Sequence, residues 1–599
     1  MLSPDGEKIA ARVAIDGVQR LVIKPVFQSG GNPVAIGVGE NDLNWWRWVN
    51  EDWLVAGTGG VSSVRGDEWY VRRAIGIEAA TGEVRPLLFN EAAQGADDVL
   101  WIARDGTPRI LLALQKSVFS NEPEFWPEVV EVDVSTVRSK RVVRSREGVM
   151  DWYADGAGTV RMGIGYSDRE QSSRLLYRQS DGSGFRTVDR AKRKKDERLT
   201  VPALFLADPG RALTFDDADG FTALYELDLE TLALGKKVFG VPGHDVRGLI
   251  ADATGAGLAG IGFVDDSRRV RWIDPKLAEV QAALDKAVGD RRATIESLSR
   301  DRNRMIVHVG GADRPGAYYF FDTGVGAMQL YAHSNVRLKN ARLAPVRTIR
   351  YRARDGLEIP AVLTLPVGRE AKGIPLILMP HGGPRARDSE EWDWWVQFLA
   401  DRGYAVVQPN YRGSTGYGTA FEDRGEGEWG LKMQDDLNDA VAHLAAEGIV
   451  DPKRVCIVGG SYGGYAAMRG AQRDGSLFRC AVSFAGVSDL GHLARSDRNS
   501  LFRRTRDSFL RDQAPDFKSV SPINFADQFS APILLVHGKK DLVVPVRQSR
   551  EMAERLEKAG KPFEYLEQPE ADHHFSREQD RREFLERLEA FLQRHNPAG

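Results

Sequence analysis

The chain has 599 residues, too many for one ordinary core, so at about 100–200 residues per domain two or more units are expected. Its composition, 42% hydrophobic and 28% charged, excludes a fibrous or disordered polymer. With 82 basic and 85 acidic residues and a net charge of −3, it carries no overall field that would draw it to nucleic acid or an anionic membrane.

The N-terminus, MLSPDGEKIAARV, lacks the charged region, apolar run and small-residue cleavage site of a signal peptide. Nor is there an apolar run of about 18 residues that would make a transmembrane helix. The expected location is therefore the cytoplasm, or the periplasm if a leader has been removed. From here to about Tyr331, short strand-like runs alternate with Gly, Asp and Asn turns, and one helix-period segment intervenes near Lys276 to Val288. Several units open alike, with a tight polar turn before a strand: Ser3-Pro4-Asp5-Gly6, Asn50-Glu51-Asp52, Asp208-Pro209-Gly210 and Ser299 to Asn303. Others close alike, as VVEVDVST and ALYELDLET do. About seven units of roughly 45 residues predict a β-propeller over residues 1–340, with a pair of β-sandwiches as the alternative. Trp45, Trp46, Trp48, Trp101 and Trp152 read as residues packing the blades, and the basic run Arg190 to Lys195 reads as a solvated loop.

Near Ala341 to Tyr351 the pattern changes to strands alternating with helices: AVLTLP, PLILMPHG, YAVVQPNY, a helix near Met433 to Glu447, VCIVGGS, CAVSFAG, PILLVHG and a last helix from Arg577 to His595. This predicts an α/β domain over 341–599 with a mostly parallel sheet. The two cysteines, Cys456 and Cys480, each fall in an apolar run and read as buried thiols; no metal spacing is present.

In that domain Val455 to Tyr465, VCIVGGSYGGY, is an apolar strand followed by Gly-x-Ser-x-Gly and a helix-forming segment. That order suits a nucleophile elbow, in which Ser461 occupies a strained strand-to-helix turn at the positive end of a helix. A serine needs a histidine to take its proton and a carboxylate to orient that histidine. The α/β-hydrolase order Ser, Asp, His selects Asp541, just past the strand PILLVHG, and His573 in the loop ADHHF. Asp489 is the rival carboxylate. His574 reads as a neighbour of the base and His537 as a satisfied core residue, while His244, His308, His333, His443, His492 and His595 have no supporting context. For the oxyanion hole, the backbone of Tyr462 supplies one donor, and the small residues of His381-Gly382-Gly383-Pro384, after another strand, supply the second.

These segments resemble the prolyl oligopeptidase family of serine peptidases, above all its acylaminoacyl-peptidase-like branch. The matching residues are GGSYGGY at 459–465, HGGP at 381–384, NYRGSTGYG at 410–418, GKKDLVVP at 538–545 and ADHHF at 571–575. The resemblance implies Ser461, Asp541 and His573 as a triad, with the amides of Tyr462 and Gly383 as oxyanion donors. It also implies a propeller that caps the site and admits short peptides, and acyl transfer without a metal or organic cofactor. Homo-oligomers are compatible with it, and neither nucleic acid nor membrane is expected as a partner. Two departures stand out: the first blade starts at once, without a preceding segment, and residues 1–340 hold no adjacent Glu-Glu pair of the kind with which dipeptidyl peptidases grip a substrate ammonium. The pair Glu390-Glu391 lies after HGGP instead. Oligopeptides or blocked N-termini are thus expected ahead of dipeptide removal, with an esterase or a silent binding protein as further alternatives. Activity should fall below about pH 6.5, where an imidazole protonates.

Overall fold

A computed structural model describes residues 1–15, 18–27, 32–39, 41–64, 67–496, 501–514 and 516–599. Up to His333 the described residues form seven sheets of three to five strands, antiparallel except for one short parallel pairing of Arg72–Arg73 with Gly95–Ala96, each built from one continuous stretch of chain. Each sheet needs a partner for both faces, and the apolar clusters show how the need is met. Leu111 and Val129 of the third blade share a core with Trp152 and Val160 of the fourth, and Met162 and Leu175 of the fourth share one with Ala212 and Leu227 of the fifth. The ring closes where Leu2 and Ile9 of the first blade meet Ile306 and Phe320 of the seventh.

The tryptophans serve this packing: Trp152 Nε1 donates to Pro127 O at 2.9 Å, Trp101 Nε1 to Gly156 O at 2.9 Å and Trp45 Nε1 to Asp97 Oδ2 at 3.3 Å. The helix expected after Lys276 spans Pro275–Val288, with Pro275 in its first turn and the Asp274 carboxylate accepting the Leu277 amide. The basic run Arg190 to Lys195 departs from the sequence reading. It ends the strand Arg186–Lys192, and Arg193 pairs with Asp512 in the second domain.

The second domain is an eight-stranded sheet. Its strands are β1 (Val346–Arg352), β2 (Glu358–Thr364), β3 (Ile374–Leu378), β4 (Ala405–Pro409), β5 (Val450–Gly460), β6 (Cys480–Phe484), β7 (Ile533–Gly538) and β8 (Phe563–Gln568). They lie in the order β1-β2-β4-β3-β5-β6-β7-β8. β2 pairs antiparallel with β1 and β4, and all later pairings are parallel. Strands β3, β4, β6 and β7 are buried throughout, as expected of parallel strands covered on both faces, and each aliphatic side chain so placed stabilises the fold by about 1.5–3 kcal/mol. The helices that frame the site are α1 (Trp394–Asp401), α2 (Lys432–Ala446), α3 (Tyr462–Arg473), α4 (Arg503–Gln513) and α5 (Arg547–Lys558).

The reading of Cys456 and Cys480 as separate buried thiols is corrected by this sheet. They are direct partners in the parallel register of β5 and β6, with Cα atoms 4.7 Å apart, and they form a disulfide. Their 24-residue separation, filled by α3, conceals the pairing in the sequence, because only the strand register places both sulfurs on one face. Unreduced, denatured protein should show no titratable thiol, and Cys456→Ala with Cys480→Ala should lower stability by about 2–4 kcal/mol in denaturant titrations.

Candidate active site

Ser461 lies between β5 and α3 with φ 57° and ψ −119°, an unfavourable conformation for a residue with a Cβ. Its own amide is fixed by donation to Phe484 O at 2.9 Å. The close turn demands glycine at 463, where a Cβ would stand 2.2 Å from Pro380 O. The Tyr462 amide opens α3, so the positive end of that helix faces the serine. Tyr462 itself is anchored by its buried ring, which lies edge-on to Trp429 at 5.0 Å.

Asp541 and His573, from loops after β7 and β8, meet: His573 Nδ1 lies 2.7 Å from Asp541 Oδ2. The carboxylate can only accept, so Nδ1 carries a proton, and in the neutral imidazole Nε2 keeps its lone pair. Asp541 Oδ1 accepts the amides of Val543 and Val544, both at 2.8 Å. Burial acts to raise the Asp541 pKa. The hydrogen bonds from His537 and His573, the His573 charge and the Val544 amide outweigh it and hold the carboxyl well below its ordinary range.

Phe575, two residues beyond the histidine, stacks on Phe484 at 3.8 Å between ring centroids. The loop carrying His573 thus rests on the residue whose carbonyl holds Ser461. His574 is exposed and edge-on to His573 at 5.2 Å, as a neighbour of the base would be. Asp489 is otherwise engaged: its carboxylate accepts the His492 amide at 2.9 Å. His537 does more than fill the core. Its Nε2 lies 2.9 Å from Val544 O and 3.3 Å from Asp541 Oδ2, the same carboxylate oxygen that His573 contacts. The spacing HG-x-x-D was the only sequence signal for this contact, and it carries no direction.

The HGGP loop reaches the elbow. A Cβ placed on Gly382 would lie 3.4 Å from Ser461 Cβ, and Gly383, with φ 115°, turns the chain into Pro384. Burial lowers the His381 imidazole to about 4, so it is neutral, and it stacks on Tyr411 at 4.4 Å. Glu390 and Glu391 are both engaged: Glu390 Oε1 accepts the Thr348 amide of its own domain at 2.6 Å, while the Glu390 amide donates to Asp266 O and Glu391 pairs with Arg292 at 2.7 Å, both across to the propeller.

A serine on a strand-to-helix turn, a carboxylate–imidazole pair and a propeller over the sheet define the class as a propeller-capped serine hydrolase. Residues 390–597 match the sequence profile of the prolyl oligopeptidase family. The chain is 28% identical to dipeptidyl aminopeptidase BIII of Pseudoxanthomonas mexicana across 99% of its own length and 86% of that protein's. It is 30% identical to the acylamino-acid-releasing enzyme of Sus scrofa over 37% of this chain and 31% of that one. Its fold superimposes on a puromycin-hydrolyzing peptidase of Mycobacterium tuberculosis with a TM-score of 0.75 at 20% identity, covering 100% of this chain and 94% of the other. The match to the prolyl oligopeptidase family lies in the second domain, over residues 390–597, and with the similarity to a dipeptidyl aminopeptidase along nearly the whole chain it supports a serine peptidase acting on short peptides.

Proposed function

We propose that the chain is an exopeptidase that removes short segments from free peptide N-termini through an acyl-enzyme on Ser461. The observation that carries the catalytic part is the Asp541–His573 pair, which leaves Nε2 of His573 as the acceptor for a proton. Ser461 Oγ attacks the scissile carbonyl as that proton passes to Nε2, and the amides of Tyr462 and Gly383 receive the oxyanion. His573 then protonates the departing amine. Water, deprotonated in turn by His573, releases the acyl group and restores the serine hydroxyl.

Support for a free amino terminus comes from a cavity of about 520 Å³ walled by both domains. Asp151, Tyr166, Asp168 and Arg193 line it from the propeller, and Phe502 and Thr505 from the hydrolase side. Its lining holds more carboxylates than cations, with Asp196 and Glu197 beside Asp151 and Asp168 against Arg193, and that balance suits an ammonium group. A relative aligned over 99% of this chain is a dipeptidyl aminopeptidase, which agrees. The disulfide supports an oxidising compartment over the cytoplasm.

Aminoacyl, dipeptidyl and N-acetylaminoacyl chromogenic amides test the reading. Unblocked amides should be turned over at least about tenfold faster, as loss of one buried charge contact predicts. Preference for the acetylated series would overturn the N-terminal assignment, and rapid ester cleavage with no amide cleavage would overturn peptidase action at Ser461.

A further inference from the structure

The motif NYRGSTGYG at 410–418 is bound from two sides. At one end Arg412, with its side chain buried, donates to Asp436 from Nε at 2.8 Å and from Nη2 at 2.7 Å, rooting the segment in α2. At the other end the segment is held by the propeller. Asp245, 4% exposed and just ahead of the first strand of the sixth blade, accepts the amides of Gly416 at 3.1 Å and Gly418 at 3.4 Å on Oδ2. Its Oδ1 accepts the Thr222 amide at 2.8 Å, so the carboxylate is fixed from within the propeller, and its own amide donates to Gly416 O at 3.1 Å. Contact is close enough to exclude a side chain: a Cβ at Gly418 would lie 2.7 Å from Gly220 O, and one at Gly416 would lie 2.8 Å from Arg387 Nη1.

Arg387 belongs to the loop that begins with HGGP, and it too grips the propeller. It donates to Val264 O at 3.2 Å and Asp265 O at 2.6 Å while lying 4.2 Å over the Tyr417 ring. The two loops are also laced to each other. The Thr415 amide donates to Ala386 O at 2.9 Å, Ser414 Oγ lies 2.9 Å from His381 Nε2, Tyr411 OH donates to His381 O at 2.8 Å and the Asp388 amide donates to Asn410 Oδ1 at 2.7 Å. A continuous set of bonds therefore runs from a propeller carboxylate to the glycines that face Ser461.

We infer that Asp245 is a positioning residue for catalysis: by holding the amides of Gly416 and Gly418 it sets the loop that braces His381 to Gly383, so the oxyanion donor is in register only while the propeller is docked. The propeller then acts on the chemical step as well as on substrate entry. The inference rests on the reading of Ser461 as nucleophile and of the Gly383 amide as an oxyanion donor.

The test uses the full-length chain and p-nitrophenyl acetate, a substrate too small to need the propeller for binding. Sites are counted by exhaustive reaction with a fluorophosphonate, so that kcat refers to folded enzyme. Asp245→Ala should lower kcat per titrated site about tenfold to a hundredfold, the cost of an ångström-scale misplacement, with KM changed less than about threefold. Arg387→Met, which keeps the contact with Tyr417 but removes both donors to the propeller, should lower kcat in the same way and decides the matter if Asp245→Ala does not fold. A purely structural role would reduce the number of titrated sites and leave kcat per site at the wild-type value, and that result in whichever variant folds overturns the inference. Wild-type enzyme without hydrolytic activity would overturn the reading of Ser461 and this inference with it, whereas an active wild type with unchanged variants overturns this inference alone.

Discussion

Ser461→Ala should lower kcat by about 10⁴–10⁶-fold and abolish labelling by a fluorophosphonate, with the midpoint of thermal unfolding almost unchanged. The size follows from the proposed role of Ser461 Oγ as the atom that forms the acyl bond. The near-neutral stability follows from the backbone: φ 57° strains any residue with a Cβ, and alanine keeps that Cβ, so the strain and the Ser461 N to Phe484 O bond persist. A variant retaining more than about one hundredth of wild-type kcat would place the nucleophile elsewhere.

Asp541→Asn should cost about 10⁴-fold in kcat, for a reason the geometry makes specific. Oδ1 receives two backbone amides, so an asparagine keeps its oxygen there and turns its NH₂ toward His573 Nδ1 and His537 Nε2. Two N–H groups cannot face each other, and His573 must move its proton to Nε2, the atom required to accept from Ser461. The pH dependence has a fixed sign as well. The folded pKa of Asp541 is depressed, so its contribution to stability is complete above the unfolded value near ~4 and is lost as pH falls through the folded value. The carboxylate thus stays ionised through the range in which an imidazole titrates, so Asp541 should contribute no step to the acid limb of kcat/KM. In thermal unfolding Asp541→Asn should be less stable than wild type at pH 7, and the gap should begin to narrow as the pH falls below about 4 toward 3, closing fully only at the lower folded value. A gap that stays constant over that range would contradict the ion pair.

Much of this was legible in the sequence, because some features depend on local order alone. Strand, Gly-x-Ser-x-Gly and helix occur within about 25 residues at 450–473, and the steric demands of the turn are set by its own neighbours. The repeat of polar turn and strand disclosed the blades, since each sheet is one continuous stretch of chain. The chain order of Ser461, Asp541 and His573 follows from the succession of parallel strands, each delivering its loop to the same edge of the sheet.

Tertiary structure decided whatever depends on two distant segments meeting. Cys456 and Cys480 became a disulfide through the register of β5 on β6, which neither apolar run contains. Glu390 and Glu391, adjacent in the chain, point to different partners, Glu390 to Thr348 of its own domain and Glu391 to Arg292 of the propeller. Arg193, read as part of a solvated loop, found Asp512 more than 300 residues away. Asp245 gave no sequence signal, because a lone carboxylate in VPGHDV acquires its meaning only from the two amides that the other domain places against it. Local sequence determined the elbow and the repeats, since bonded geometry and nearest-neighbour sterics suffice for them. The docking of propeller on hydrolase was decided by hydrogen bonds between surfaces whose proximity exists only once both have folded.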